Sequence, residues 1–192
     1  MSGNSASSLV LGVTGPNAAG KGEVSTHLAQ RGFTVYSLSD IVREEAAAQG
    51  LPPEREHLIR IGTELRRAEG AGVLAERLLP RLHGREVVDS IRNPAEVEVL
   101  RRLPNFVLLG VRAPAEVRYA RSRSRGRPGD PASFEEFLER ERQENRDDPS
   151  GQQLDATFRL ADRILDNDGA LDRLRSAVDR LLNELETADS PR

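Results

Sequence analysis

The segment Gly15-Pro16-Asn17-Ala18-Ala19-Gly20-Lys21-Gly22 follows the apolar run Leu9-Val10-Leu11-Gly12-Val13 and opens onto a stretch of helical pattern near Lys21. Strand, tight glycine loop and helix in that order form a cradle for phosphate. Backbone N–H groups wrap the anion, the helix N-terminus adds partial positive charge, and a lysine adds a full one. Seven positions of G-x-x-x-x-G-K-[ST] are met, while Gly22 stands where a hydroxyl would reach Mg²⁺. The alternative is a glycine-rich turn with an incidental lysine. Against it, Lys21 is the only lysine of the chain, every other basic side chain being arginine. The loop therefore predicts a nucleoside triphosphate held by Gly15, Asn17, Ala18, Ala19, Gly20, Lys21 and Gly22, with Glu23 beside them.

At 192 residues the chain is expected to form a single domain over 1–192 with a sizeable core. A net charge of −3 gives no general attraction to nucleic acid or membrane, which argues against a nucleic-acid partner, although an arginine cluster can still bind phosphate locally. No stretch has the length and apolarity of a membrane span, and Met1 to Ser8 lacks the features of a signal peptide. The expected location is the cytoplasm. The absence of cysteine removes disulfides, thiolate metal sites and cysteine nucleophiles. His27, His57 and His83 have no ligand spacing and read as ordinary surface or helix residues. Oligomeric state is not encoded in any recognisable pattern.

Beyond the loop, Glu23 to Arg31 reads as a helix stopped by Gly32, and Phe33 to Tyr36 as a buried strand. A strand–helix–strand unit of this length predicts a right-handed crossover and a parallel sheet covered on both faces. Ser37 to Leu82 is helical in pattern, broken at Gly50-Leu51-Pro52-Pro53 and near Gly70. Its length exceeds that of a simple crossover, which suggests a flap over a substrate within about residues 38–82. Glu86 to Asp89 is a strand ending in a carboxylate, followed by a helix from Pro94 to Leu103 and the apolar strand Asn105 to Val111. A helix from Pro114 runs into Arg121-Ser122-Arg123-Ser124-Arg125-Gly126-Arg127. Ser133-x-x-Glu136 marks the next helix start. Glu139 to Asp148 has no apolar residue and is expected to be solvated or to face a polar cleft. Ile164-Leu165 reads as the last strand, and Leu171 to Leu185 as an amphipathic helix.

In such an open sheet, ligands bind beyond the carboxyl ends of the strands. Asp89 at a strand end suits Mg²⁺ or its bound water, or simply caps a helix. Asp40 is either functional or part of a capping box with Ser37. Phosphoryl transfer depends on positioning and charge, and arginines on a mobile lid can supply both. The arginines of about 121–132 fit such a lid; an arginine–serine run can also be a solvated face or a nucleic-acid contact.

With these residues in place, the chain resembles the P-loop nucleoside monophosphate kinases. Gly15 to Lys21 followed by Gly22 is similar to adenylate kinase, whose loop also has glycine after the lysine. Ser39-Asp40-Ile41-Val42-Arg43 resembles that family's G-D-x-L-R, and Asp89-Ser90-Ile91-Arg92 its D-G-[FI]-P-R. The C-terminal third resembles dephospho-CoA kinase through Gln152 or Gln153 and Ala161-Asp162-Arg163-Ile164-Leu165-Asp166-Asn167-Asp168-Gly169. Together the motifs resemble an uncharacterised archaeal and bacterial group of kinase-like proteins. The resemblance implies a three-layer α/β fold with a five-stranded parallel sheet in the order 2-3-1-4-5 and helices on both faces. It also implies ATP as donor and Mg²⁺ as cofactor. Lys21, Arg92, Arg123 and Arg127 would be catalytic and Asp89 would serve the metal. Asp40, Arg43, Arg66, Arg92 and Arg146 would meet the acceptor, and Asn167 would border adenine or else form a plain turn.

Two departures refine this. Glu23 replaces a threonine of adenylate kinase, placing negative charge near the phosphates. Leu38 replaces the first carboxylate of the Asp-x-Asp in dephospho-CoA kinase. A hydroxyl acceptor benefits from a nearby base, whereas a phosphate monoester, with a second pKa of about 6, attacks without one. The expectation is a phosphotransferase acting on a small phosphorylated acceptor, a nucleoside or deoxynucleoside monophosphate. The alternatives are a dephospho-CoA kinase-like enzyme, a non-catalytic ATP-binding module, and a kinase directed at nucleic acid.

Overall fold

The computed structural model describes residues 8–126, 130–145 and 148–188. Five strands, β1 (Leu9–Thr14), β2 (Thr34–Ser37), β3 (Arg85–Asp89), β4 (Phe106–Arg112) and β5 (Arg163–Asp166), form one parallel sheet in the order β2-β3-β1-β4-β5. The helices are α1 (Lys21–Gln30), α2 (Leu38–Ala48), α3 (Arg55–Glu69), α4 (Val73–Leu78), α5 (Pro94–Leu100), α6 (Ala115–Arg125), α7 (Phe134–Glu144), α8 (Leu154–Arg159) and α9 (Leu171–Ala188). A 3₁₀ turn, Leu79–Arg81, extends α4.

Strand β1 explains why the sheet needs two covers. All six of its residues are buried, and alternate side chains enter different cores. Leu11 and Val13 pack with Val24 and Leu28 of α1 and Leu174 and Val178 of α9. Val10 packs on the other face with Ile41, Leu65, Leu74 and Val97. Burying each such side chain contributes about 1.5–3 kcal/mol, so the continuous apolar run is the strongest local determinant of the central strand. Crossovers between these parallel strands bring all five carboxyl ends to one edge.

Two expectations, on β2 and on the end of α5, are corrected by the architecture. In the segment 38–82, Leu38, Ile41, Val42, Ile61, Leu65, Leu74, Leu78 and Leu82 share one core with Val88 and Leu108 of the sheet. Its Leu58-Ile61-Leu65 stripe is spent inward. Strand β2 is an edge strand whose Val35 is 40% exposed, and the buried member of that run is Phe33, just ahead of it. Helix α5 ends at Leu100 rather than Leu103, because the chain turns there, with the Leu103 N–H donating to Leu100 O at 3.0 Å. The arginine–serine run is helical through Arg125 and ends at Gly126 in left-handed conformation (φ 59°).

Candidate nucleotide site at the carboxyl edge of the sheet

The loop from β1 to α1 is shaped by two glycines that neighbours press closely. At Gly15 (φ 139°) a Cβ would lie 2.1 Å from the Val111 carbonyl oxygen, and at Gly20 (φ 107°) it would lie 2.1 Å from Asn167 Nδ2. Ala18 also takes a left-handed conformation, with φ 58°. Ala19 N donates to Pro16 O at 3.3 Å, and α1 opens with Glu23 N and Val24 N on Gly20 O. The N–H groups of Asn17, Ala18, Gly20, Lys21 and Gly22 have no acceptor among the described residues. Successive unpaired N–H groups at a helix start form an anion cradle.

Lys21 is folded over this cradle, donating from Nζ to Gly15 O at 2.8 Å and Pro16 O at 3.0 Å. Desolvation lowers its pKa to about 8, and the Arg92 guanidinium pushes in the same direction, as Arg118 does more weakly. The Asp89 and Glu144 carboxylates oppose that shift. Residues distant in sequence thus act on one ammonium. Gly22 is open: a Cβ there would meet nothing within 4 Å. Glu23 is exposed.

Asp89 and Arg92 stand on the loop after β3. The Asp89 carboxylate accepts from Ser90 N at 2.5 Å, and Ser90 has φ 64°, a left-handed position where the resembling kinase motif has glycine. The loop is tied down by Thr14 Oγ1 donating to Ile91 O at 2.9 Å and by Ser37 Oγ donating to Ser90 Oγ at 3.1 Å. Arg92 donates from its guanidinium to Gln152 Oε1 at 2.8 Å. For Mg²⁺, which keeps waters and takes one or two carboxylates plus phosphate oxygens, Asp89 is a chemically suitable protein ligand. No cluster of three or more His, Cys, Asp or Glu able to hold a metal occurs among the described residues.

In the first turns of α2, Asp40 and Arg43 are exposed and paired with each other at 2.5 Å. Ser37 caps α2 by accepting from Ser39 N at 3.3 Å, without Asp40. Arg66 is placed differently from the expected substrate contact: it is 7% exposed and ion-paired at 2.8 Å with Glu96, which is 0% exposed. Its neighbour Arg67 donates to Ser150 Oγ at 3.2 Å.

The far wall comes from α6, α7 and the turn after β5. Asn167, 5% exposed, donates from Nδ2 to Ala19 O at 2.8 Å, while its own carbonyl accepts from Arg121 at 2.9 Å. It therefore locks the glycine loop from behind, which a plain turn would not do. Arg123 is exposed and donates to Ala132 O at 3.1 Å. Arg127 and Arg146 lie outside the described residues. Arg118 and Glu144 went unrecognised in the sequence, and Arg121 was noted only as part of the arginine–serine run. Arg118 bonds Asn17 O at 3.3 Å, pairs with Glu141 and lies over the Phe137 ring at 5.3 Å. Glu144 accepts from Asn17 Nδ2 at 2.5 Å. Arg121 retains a buried NH1 with no hydrogen-bond partner among the described residues. Glu141 and Glu144 belong to the apolar-free run from Glu139 to Asp148; both are half-buried, against Arg118 and Asn17, while Glu139, Arg142 and Gln143 are exposed.

Comparison with known proteins agrees with this geometry. Residues 14–138 match the family model described as AAA domain. A UPF0200 protein of Hyperthermus butylicus is 37% identical over 181 residues, covering 92% of this chain and 95% of the relative. Among solved structures, TT1252 from Thermus thermophilus is 26% identical with a TM-score of 0.59, covering 93% of this chain and 98% of that one. Shikimate kinase from Acinetobacter baumannii, in complex with shikimate, is 16% identical with a TM-score of 0.60 and 97% coverage of both chains; at that identity the likeness concerns the fold. The sheet order, the β1–α1 loop and these matches agree: the chain has the P-loop kinase fold and belongs to the AAA domain family and, among curated proteins, to UPF0200.

Proposed function

We propose that this protein transfers the γ-phosphate of ATP to a small phosphorylated acceptor, a nucleoside or deoxynucleoside monophosphate. The observation that carries the reading is that the glycine loop after β1 and the Asp89–Arg92 loop after the neighbouring strand β3 sit together, tied by Thr14 Oγ1 donating to Ile91 O at 2.9 Å, so that Asp89 and Arg92 act on Lys21. Lys21 and the unpaired N–H groups of the glycine loop hold the β- and γ-phosphates. Arg92 and Arg43 bind the acceptor phosphate, and Asn167 and Arg121 bound the base end of the donor. Mg²⁺, with Asp89 as its protein ligand, supplies neutralisation of phosphate charge when bound.

In the reaction an acceptor phosphate oxygen forms a bond to the γ-phosphorus as the bond from that phosphorus to the β–γ bridging oxygen breaks, releasing ADP. The charge that moves to the bridging oxygen meets Lys21 and the loop N–H groups, which need no reorganisation. Leu38 is buried at the start of α2, and Asp40 is paired with Arg43. Neither offers a ready base, which suits an acceptor already ionised at neutral pH.

ADP release followed over the common mononucleotides and dephospho-CoA tests the reading. Turnover dependent on a mononucleotide is expected. Turnover with dephospho-CoA alone would move the assignment to that chemistry, and ATP binding without turnover on any acceptor would leave a non-catalytic module.

A further inference from the structure

The carboxylate of Glu96 is completely buried yet carries four hydrogen bonds. One oxygen accepts from Arg66, from Nε at 3.3 Å and from a terminal nitrogen at 2.8 Å. The other accepts from the backbone N–H groups of Arg92 at 2.8 Å and Asn93 at 3.1 Å. The Asn93 bond belongs to the capping box of α5; the bonds to Arg92 and Arg66 exceed what a cap needs. A buried ion pair is roughly neutral for stability against an apolar pair of the same volume, so the arrangement is better explained by what it fixes in place.

What it fixes is Arg92. Glu96 holds its N–H, Gln153 N donates to its carbonyl oxygen at 2.8 Å, and Gln152 accepts from its guanidinium. The Asn93 side chain ties the same stretch to Pro149 O at 2.8 Å and Gly151 O at 3.1 Å. Arg66 comes from α3, within the segment expected to meet the acceptor, and Arg92 follows β3. The bridge through Glu96 therefore joins two parts of the chain that share no local contact in sequence.

We propose that Glu96 and Arg66 are positioning residues: Arg66 orients the Glu96 carboxylate, which sets the backbone of Arg92 and so aims its guanidinium at the acceptor phosphate. This rests on the phosphotransfer reading above for its consequence but not for its geometry. Glu96→Gln is the direct perturbation, because an amide cannot accept from both donor sets at once. Arg66→Lys is the conservative partner, keeping the charge while losing the two-pronged contact.

Two measurements decide it in the intact protein. Amide hydrogen exchange at Arg92 and Asn93 should rise at least about tenfold in Glu96→Gln, with exchange in α1 unchanged and less effect in Arg66→Lys. In steady state, kcat/KM for the mononucleotide should fall by about tenfold or more, with the Kd of ATP within about twofold. In an Arg92→Ala background, Glu96→Gln should add little to that fall. Unchanged exchange at Arg92, equal loss of ATP and acceptor terms, or full additivity with Arg92→Ala would overturn the proposal. Should Glu96→Gln unfold, Arg66→Lys and the doubly neutral Arg66→Met with Glu96→Gln carry the same exchange test. Absence of turnover in the parent protein would refute the phosphotransfer reading, while exchange at Arg92 would still decide the positioning one.

Discussion

Binding of ADP should draw a proton onto Lys21, and the amount follows from the site. The ammonium has a pKa of about 8 in the free protein, chiefly because it is desolvated and secondarily because Arg92 is near. A diphosphate seated against Nζ replaces lost hydration with negative charge and returns the pKa toward or above the ordinary 10.5 for lysine. The complex then binds more protons than the free components between pH 8 and 10.5, so uptake accompanies binding and affinity falls as pH rises through that window. With a free pKa of 8, uptake is about 0.1 proton at pH 7, about 0.5 at pH 8 and about 0.9 at pH 9. The second ionisation of phosphate, with a pKa of about 6, is complete at the upper two values and leaves the signal to the protein. Calorimetry of ADP in two buffers of different ionisation enthalpy reads the uptake, and Lys21→Met provides the control. Uptake that stays flat from pH 7 to 9, or persists in Lys21→Met, would refute the assignment of the shifted lysine to the phosphate cradle.

Glu144 places a carboxylate against Asn17 and acts on Lys21, so Glu144→Gln removes repulsion toward incoming phosphate. ADP affinity at pH 7 should rise about fivefold by calorimetry; unchanged or weaker binding counts against an anion site there. Gly15→Ala drives a Cβ into the Val111 carbonyl oxygen at an unfavourable φ. It should cost about 2 kcal/mol or more in chemical denaturation, and a loss under about 0.5 kcal/mol would contradict the described loop. Gly22→Ser meets open space and improves helix propensity. Its thermal midpoint should equal or exceed that of the parent, and a lower midpoint would show that the position is not open.

The sheet was legible because β1 and β4 are long apolar runs that can only be central, and because glycine, proline and capping residues mark most helix ends. The edge character of β2 was not, since four residues of β-branched and aromatic type read alike at the centre or the rim until the strand order is known. At the candidate site, Lys21, Asp89 and Arg92 were readable as candidates from local motif chemistry, and Asp89 and Arg92 both act on the Lys21 ammonium. Arg66 illustrates the limit. Sequence places an arginine on α3, but only packing reveals that Glu96, 30 residues away, claims it. Arg118 and Glu144 were hidden for the same reason: each reaches the glycine loop through a contact with Asn17 from another element, and neither spacing nor composition encodes that contact. The arginine–serine run is helical through Arg125, a continuation of α6 that its alternating charges do not by themselves announce.

The most direct test of phosphotransfer is to follow label from the γ-position of ATP into a mononucleotide product, with Lys21→Ala and Arg92→Ala alongside. Labelled nucleoside diphosphate should form in the parent, with loss of about 10²-fold or more in each variant. Tight ATP binding with no labelled product from any mononucleotide, or undiminished transfer by Lys21→Ala, would contradict the account.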